Sequence, residues 1–108
     1  MKIGKTYFMV PVKEMAPAVA FYRSVFGLEP AYESGEWTEL PHGERVSIAL
    51  HRGEIAAQKM GLGFEVDDVD DILRRTEAAG GRIVEPLGRR IAIVADPDGN
   101  EISIMPVR

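Results

Sequence analysis

The sequence contains no cysteine among its 108 residues. This absence excludes disulfide bonds, thiolate metal sites and cysteine nucleophiles, and it is compatible with a reducing compartment. Apolar runs long enough to span a membrane are also missing, and the first residues, MKIGK, lack the apolar segment of a secretory signal. We therefore expect a cytoplasmic protein that does not enter a membrane.

The sequence also lacks an excess of basic charge. It has 13 lysines and arginines against 17 aspartates and glutamates, which gives a formal net charge of −4. A chain of negative charge is a poor match for nucleic-acid phosphates or for an anionic membrane surface, so we expect neither as a partner. Apolar residues make up 45% of the chain, which is enough for one domain (1–108) with a modest core.

What the sequence does contain is an internal repeat with an offset of 54 residues, as between Val12 and Val66. Further equivalent pairs are Met15 with Val69, Val19 with Leu73, Gly27 with Gly81, Ile48 with Ile102 and Leu50 with Ile104. A fixed period is the signature of a duplicated structural unit. We place module one at about 4–53 and module two at about 60–108, and we expect a site where the two copies face each other.

Each module is predicted to contain one strand, one helix and three further strands. In module one the strands are expected at about Thr6–Val12, Glu29–Glu33, Trp37–Leu40 and Arg45–His51, and the helix contains Met15, Val19, Tyr22 and Phe26 at helical spacing before Gly27. In module two the helix is expected from about Val69 to Ala79, and the strands at about 62–66, 82–84, 90–95 and 101–106. The fold class is therefore α+β, with two tandem βαβββ modules.

Alternation within the strands assigns their side chains to two different faces. The even-numbered face is apolar and is expected to be buried under the helix: Phe8, Val10, Ile48, Leu50, Leu62, Phe64, Ile102 and Ile104. The odd-numbered face is small and polar with a few large side chains: Tyr7, Met9, Ser47, Ala49, His51, Gly61, Gly63, Glu65, Glu101, Ser103 and Met105. We expect this second face to line a ligand-binding cleft, and a plain solvent-facing sheet is the alternative.

Trp37 is assigned to the same cleft, although the sequence leaves open whether it faces the cleft or the core. His42 follows a proline and precedes a glycine, so it is predicted to be a loop residue.

Two motifs give the chain a family resemblance. The segment 21–28, FYRSVFGL, and the segment 96–104, DPDGNEISI, resemble motifs of the glyoxalase I, bleomycin-resistance and extradiol-dioxygenase superfamily, also called vicinal oxygen chelate proteins. The resemblance implies an open, barrel-like sheet around a cleft, with the helices outside. It does not specify a reaction, because the superfamily is functionally diverse.

The resemblance also implies where a divalent metal would bind. Family enzymes hold the metal through His, Glu or Gln, and the corresponding positions here are Tyr7, Ala49, Gly61 and Ser103. None of these residues supplies the imidazole or carboxylate that such metals prefer. We therefore expect no metal and no other cofactor.

A displaced divalent metal site is the alternative. His51, Glu65 and Glu101 share the predicted cleft face, and one imidazole with two carboxylates can hold a metal with open coordination positions.

Two functional classes follow from these observations. In the first, the protein binds a small organic molecule without chemistry and sequesters an antibiotic or a hydrophobic metabolite, as the bleomycin-resistance branch does. In the second, it is an enzyme: a metal-dependent lyase, isomerase or dioxygenase with shifted ligands, or a metal-free enzyme with His51 or a glutamate as general base. The first is our prediction, and His51 is the candidate catalytic residue of the second. By resemblance we also expect a homodimer.

Overall fold

The structure is a computed structural model that describes residues 6–53, 59–88 and 91–107. The elements of module one are β1 (Thr6–Val12), α1 (Met15–Phe26), β2 (Tyr32–Glu33), β3 (Trp37–His42) and β4 (Val46–Arg52). The elements of module two are β5 (Lys59–Val66), α2 (Val69–Ala78), β6 (Arg82–Glu85), β7 (Ala92–Ala95) and β8 (Glu101–Pro106). This order confirms the two βαβββ modules and the α+β fold class.

Each module forms its own four-stranded sheet. The first sheet has the order β1-β4-β3-β2 and the second has the order β5-β8-β7-β6. In both, the first strand runs parallel to the last, and the remaining pairs are antiparallel. The two sheets do not close into a complete barrel, and together they form an open, curved structure with the helices outside.

The core lies between each sheet and its helix, as the alternation predicts. Val10, Leu50, Ile102 and Ile104 are fully buried, and the equivalent even-numbered residues Phe8 and Phe64 are partly buried against them. The driving force is the removal of this apolar strand face from water by the apolar side of each helix. None of the described helices combines the length and the apolarity needed to cross a membrane.

The helix ends follow from local sequence signals. Gly27 ends α1 with a φ of 68°, a left-handed conformation that glycine adopts without a steric penalty, and its N–H donates to the Arg23 carbonyl. Asp68 precedes α2, and its side chain accepts a hydrogen bond from the Asp71 N–H at 3.0 Å.

Two elements of module one differ from prediction. β2 covers only Tyr32–Glu33, whereas a strand was expected from Glu29. β3 continues through Pro41 and His42, so His42 is a strand residue and the loop prediction was wrong. Proline fits there because β2 pairs only with Thr38 and Glu39, so that no described strand lies beside the Pro41 end of β3 on that side.

Two predicted segments fall partly outside the described residues. Between the two modules we expect a connector at 52–59, because this segment is polar or small and has no periodicity; Arg52 lies in β4, Lys59 lies in β5, and residues 54–58 are not described. The strand expected from Arg90 begins at Ala92, and residues 89 and 90 are not described.

A buried hydrogen-bond network joins the two modules. Asp96 accepts from the Asp98 and Asn100 N–H groups at 2.9 Å each, which holds residues 96–100 in a tight turn. The Tyr22 hydroxyl of α1 donates to Asp96 Oδ2 at 3.0 Å, and Asn100 Nδ2 donates to the Pro11 carbonyl at 3.0 Å. Burial, with the neighbouring Asp96 carboxylate as a second cause, holds the pKa of Tyr22 well above its ordinary value.

Candidate functional site

The side of the first sheet that faces away from α1 carries most of the predicted cleft residues of module one. We call it the first inner surface. Strand register places Tyr7 opposite Ser47, Met9 opposite Ala49, and Trp37 opposite His51. Because partners in register share a face, Trp37 lies on the first inner surface, which settles the orientation that the sequence left open.

Large side chains on the first inner surface are half-exposed. Tyr7 is 43% exposed, Met9 48% and Tyr32 58%, although all three are on strands of a packed sheet. The rings of Tyr7 and Trp37 lie edge to face, with their centroids 6.1 Å apart. Exposed aromatic groups gathered on one sheet face are typical of a surface that contacts a ligand or a partner.

Tyr32 also lies on the first inner surface, although the sequence pattern did not assign it to the cleft. It pairs with Glu39, which lies on the first inner surface through its own pairing with Ala49. The signal available in the sequence was the alternation of a very short strand, and two residues of strand are too few to fix which face is buried.

Between the aromatic side chains, the floor of the first inner surface is small and polar. Ala49 and Ser47 are buried, and the Ser47 hydroxyl donates to Glu39 Oε2 at 2.7 Å. A short hydrogen bond to a carboxylate oxygen holds that group in a defined orientation. His51 is half-buried near the end of β4, and its ring lies over Gly53, where an added Cβ would stand 3.6 Å from Nδ1.

The equivalent face of the second sheet carries the predicted residues of module two, and we call it the second inner surface. Gly63 lies opposite Ser103, and Glu65 lies opposite Met105. The Met105 side chain extends over Gly63, since an added Cβ there would stand 3.3 Å from Met105 Cε. Glu101 is half-buried and pairs with Ala95, and Gly61 lies within β5.

The predicted cleft residues lie on two separate sheets. Within the described residues, β1 pairs only with β4 and β5 only with β8, so each sheet leaves one edge of its first strand unpaired. One chain does not join the two inner faces into a single sheet. The set of twelve predicted residues stays a prediction, and its two halves come from separate sheets.

A cavity of about 680 Å³ lies between the modules, and we call it the intermodule cavity. Its walls come from β1, β4 and the end of α1 on one side and from β5 and α2 on the other. Gly63 and Glu65 line it, as does His42, whose ring stands edge-on to Phe64 with centroids 6.1 Å apart. The Phe26 and Phe64 rings stack at 4.4 Å across the module boundary.

The alternative metal ligands are not brought together within one chain. Among the described residues, which include His51, Glu65 and Glu101, no group of three His, Asp or Glu side chains is arranged to hold a metal ion. The positions that the family resemblance assigns to the metal carry a phenol, a methyl and a hydroxyl at Tyr7, Ala49 and Ser103, and no side chain at Gly61. These residues do not fit a divalent transition metal.

Comparison with known proteins assigns the family. The family model of the glyoxalase/bleomycin resistance protein/dioxygenase superfamily matches residues 6–104. The chain therefore belongs to this superfamily, as the two motifs predicted. A search of curated proteins found no match.

Solved structures show the same fold. TnmS3, an antibiotic binding protein from Streptomyces sp. CB03234, is 28% identical with a TM-score of 0.78, over 100% of this chain and 99% of that chain. A glyoxalase/bleomycin resistance protein/dioxygenase family enzyme from Burkholderia phytofirmans PsJN is 22% identical with a TM-score of 0.81, over 98% of this chain and 100% of that chain. The fosfomycin resistance protein FosX from Listeria monocytogenes is 19% identical with a TM-score of 0.78, over 100% of this chain and 94% of that chain.

Proposed function

We propose that this protein binds a small organic ligand with a planar or apolar body on its first inner surface, without a metal ion and without catalysing a reaction. The exposed side chains of Tyr7, Met9 and Tyr32, with the partly buried Trp37 ring against Tyr7, are the observation that carries the proposal. Aromatic and methionine side chains bind flat, apolar groups through stacking and dispersion.

Antibiotics are the ligands that the comparisons favour, since TnmS3 is an antibiotic binding protein and FosX is a fosfomycin resistance protein. Hydrophobic metabolites are the second class, because the exposed apolar side chains suit them. In this chain, the Glu39 carboxylate beside Ser47 gives the surface a negative group for a hydrogen-bond donor or a cation on the ligand.

The proposal includes no metal ion because of the residue types at the four positions that the family resemblance assigns to the metal. Tyr7, Ala49, Gly61 and Ser103 offer no imidazole or carboxylate at the positions where the family binds its metal. His51 lies at the end of β4 with its ring over Gly53, and a general-base role for it stays a prediction. Turnover of a defined substrate that is lost in His51→Ala would favour the enzyme alternative.

We further propose that two chains form a homodimer and that the second inner surface of one chain covers the first inner surface of the other. The unpaired edges of β1 and β5 and the exposure of Tyr7 and Met9 support this arrangement. A shared cleft would remove these apolar side chains from water.

The single tryptophan of the chain, Trp37, makes the proposal testable by fluorescence. We expect a saturable change in Trp37 emission when the chelator-treated protein is titrated with a panel of bleomycin, fosfomycin and the planar cation proflavine. For any compound that binds, Tyr7→Ala should weaken binding by about tenfold, because an aromatic anchor is removed from the site.

Leu87→Ala is the matched control. Leu87 is 42% exposed, close to Tyr7, and it lies on neither the first inner surface nor the intermodule cavity. Equal loss of binding in the two variants would contradict the site. Binding of the panel only after a divalent metal is added would contradict the metal-free proposal.

A further inference from the structure

The intermodule cavity has the size and the lining of a small-molecule site, and it is distinct from the first inner surface. Its volume of about 680 Å³ falls within the range of typical ligand pockets, which is roughly 300–1,000 Å³. None of Tyr7, Met9, Trp37, Ser47 and His51 lines it. A ligand bound there would therefore leave the first inner surface open.

The walls of the cavity are mainly apolar and come from both modules. Phe8 and Ile48 from the first sheet face the stacked pair of Phe26 and Phe64, and Ile72 of α2 adds a further apolar wall. Partly buried aromatic rings around an open space favour a ligand with an aromatic or short alkyl body.

The charges of the cavity have one sign. Glu65 and Asp67 line it on one side, and no lysine or arginine does so among the described residues. Neither Glu65 nor Asp67 forms an ion pair with a residue that the structure describes. Two carboxylates beside aromatic rings attract a cation, since the rings add a cation–π term to the ion-pair attraction.

We infer that the intermodule cavity is a second binding site, which takes an organic cation with an aromatic or alkyl body, such as an aryl-alkyl amine. The apolar walls would hold the body, and Glu65 and Asp67 would hold the ammonium group. This inference does not depend on the ligand of the first inner surface.

Three probes of matched shape test the inference: 4-phenylbutylamine, 4-phenylbutanol and 4-phenylbutyrate. Affinity is measured by titration calorimetry, and the position of binding by amide chemical shifts of the ¹⁵N-labelled protein. We expect the amine to bind most tightly and the carboxylate most weakly, with shifts concentrated at Phe64, Glu65 and Asp67. The amide of Trp37 should not shift.

The double variant Glu65→Gln/Asp67→Asn should weaken binding of the amine by roughly fivefold and leave binding of the alcohol unchanged. The control Glu77→Gln/Glu85→Gln removes the same charge from residues that do not line the cavity, and it should bind like the unmodified protein. Both pairs are exposed, so neither change removes a core contact.

A second variant closes the cavity itself. Val46 is 46% exposed at the opening, and Val46→Trp should abolish binding of both the amine and the alcohol. Equal affinities for the amine and the carboxylate, shifts at Tyr7 and Trp37, or absence of binding at millimolar concentration would each overturn the inference. Conversion of a dimer to a monomer by Val46→Trp would also overturn it, because a second copy would then occupy the cavity.

Discussion

At the scale of single residues, the chain uses its buried polar groups to hold the two modules in place. The Tyr22 hydroxyl, the Asp96 carboxylate and the Asn100 amide lie in contact and link α1 of module one to the turn before β8 of module two. A buried carboxylate is costly unless donors surround it, and Asp96 accepts hydrogen bonds from four donor atoms. The network therefore holds α1 of module one against the turn of module two, and residues of both modules line the intermodule cavity.

Tyr22 gives this network a distinct pH dependence. Its pKa lies well above the ordinary value of 10.0, so the unfolded chain loses the phenolic proton first as the pH rises. The unfolded state then binds fewer protons, and the free energy of unfolding falls by up to about 1.4 kcal/mol per pH unit from this group. We predict that Tyr22→Phe is less stable by about 1.5–3 kcal/mol near pH 7. The difference should shrink as the pH rises beyond about 10.

Urea unfolding of both proteins between neutral and alkaline pH checks this prediction. Tyr32→Phe is the matched control, because the Tyr32 side chain is exposed and its loss should leave the stability near that of the unmodified protein. Parallel curves for Tyr22→Phe and the unmodified protein across the alkaline range would contradict the proposed proton linkage.

At the scale of elements, glycines at equivalent positions of the repeat have different structural roles. Gly27 and Gly81 occupy the same place in the two modules, yet only Gly27 has a positive φ. Gly81 allows a close approach between elements, because an added Cβ would stand 2.5 Å from the Ala95 carbonyl oxygen and 2.7 Å from Phe21 Cε1. The repeat therefore predicts that a glycine follows the helix in both modules. It does not predict that Gly27 provides a left-handed backbone while Gly81 allows a close contact.

Gly81→Ala is predicted to destabilise the protein by about 1–3 kcal/mol, because a backbone oxygen and a buried ring must move. Gly35→Ala is the control, since an added Cβ there meets no atom within 4 Å and the backbone does not require glycine. Thermal or urea unfolding of the two variants measures the difference. A stability loss in Gly35→Ala equal to that in Gly81→Ala would show that the close approach is not the cause.

The sequence predicted the elements with strong periodicity and missed those set by distant contacts. The strand alternation around Val10 and Ile104 and the helix ending at Gly27 were confirmed, because each depends on local pattern and burial. The face of Trp37, the short strand at Tyr32 and the strand position of His42 depend on which neighbour pairs with β3. Such pairing is a property of the folded sheet, and short segments do not encode it locally.

At the scale of the whole molecule, the two modules of one chain contact each other through α1 and α2 and through the buried network at Asp96, and each module has its own sheet. The alternation predicts that Tyr7, Ser47, Glu65 and Ser103 line a cleft between two facing modules, and the structure places them on two sheets. No local signal reports how two modules pack, so alternation does not decide whether the two faces meet within one chain or across a dimer.

We predict that the protein is a homodimer in solution, with a mass twice the 11.9 kDa of one chain by light scattering at micromolar concentration. Met9→Glu on the first inner surface should shift the mass towards one chain, because a charge would be buried in the shared cleft. Leu87→Glu is the control, since Leu87 is similarly exposed and lies in no strand of either sheet. A single-chain mass for the unmodified protein would contradict the shared cleft.

The most direct test of a metal-free binding site is the metal content of the protein. Untagged protein, purified without chelator and incubated with Ni, Zn, Mn or Fe(II), is desalted and its metal per chain is measured by mass spectrometry. We predict less than a stoichiometric amount of every metal, because Tyr7, Ala49, Gly61 and Ser103 offer no suitable ligands. One tightly held equivalent per chain would contradict the proposal and favour a metalloenzyme with His51, Glu65 and Glu101 as the ligands to substitute next.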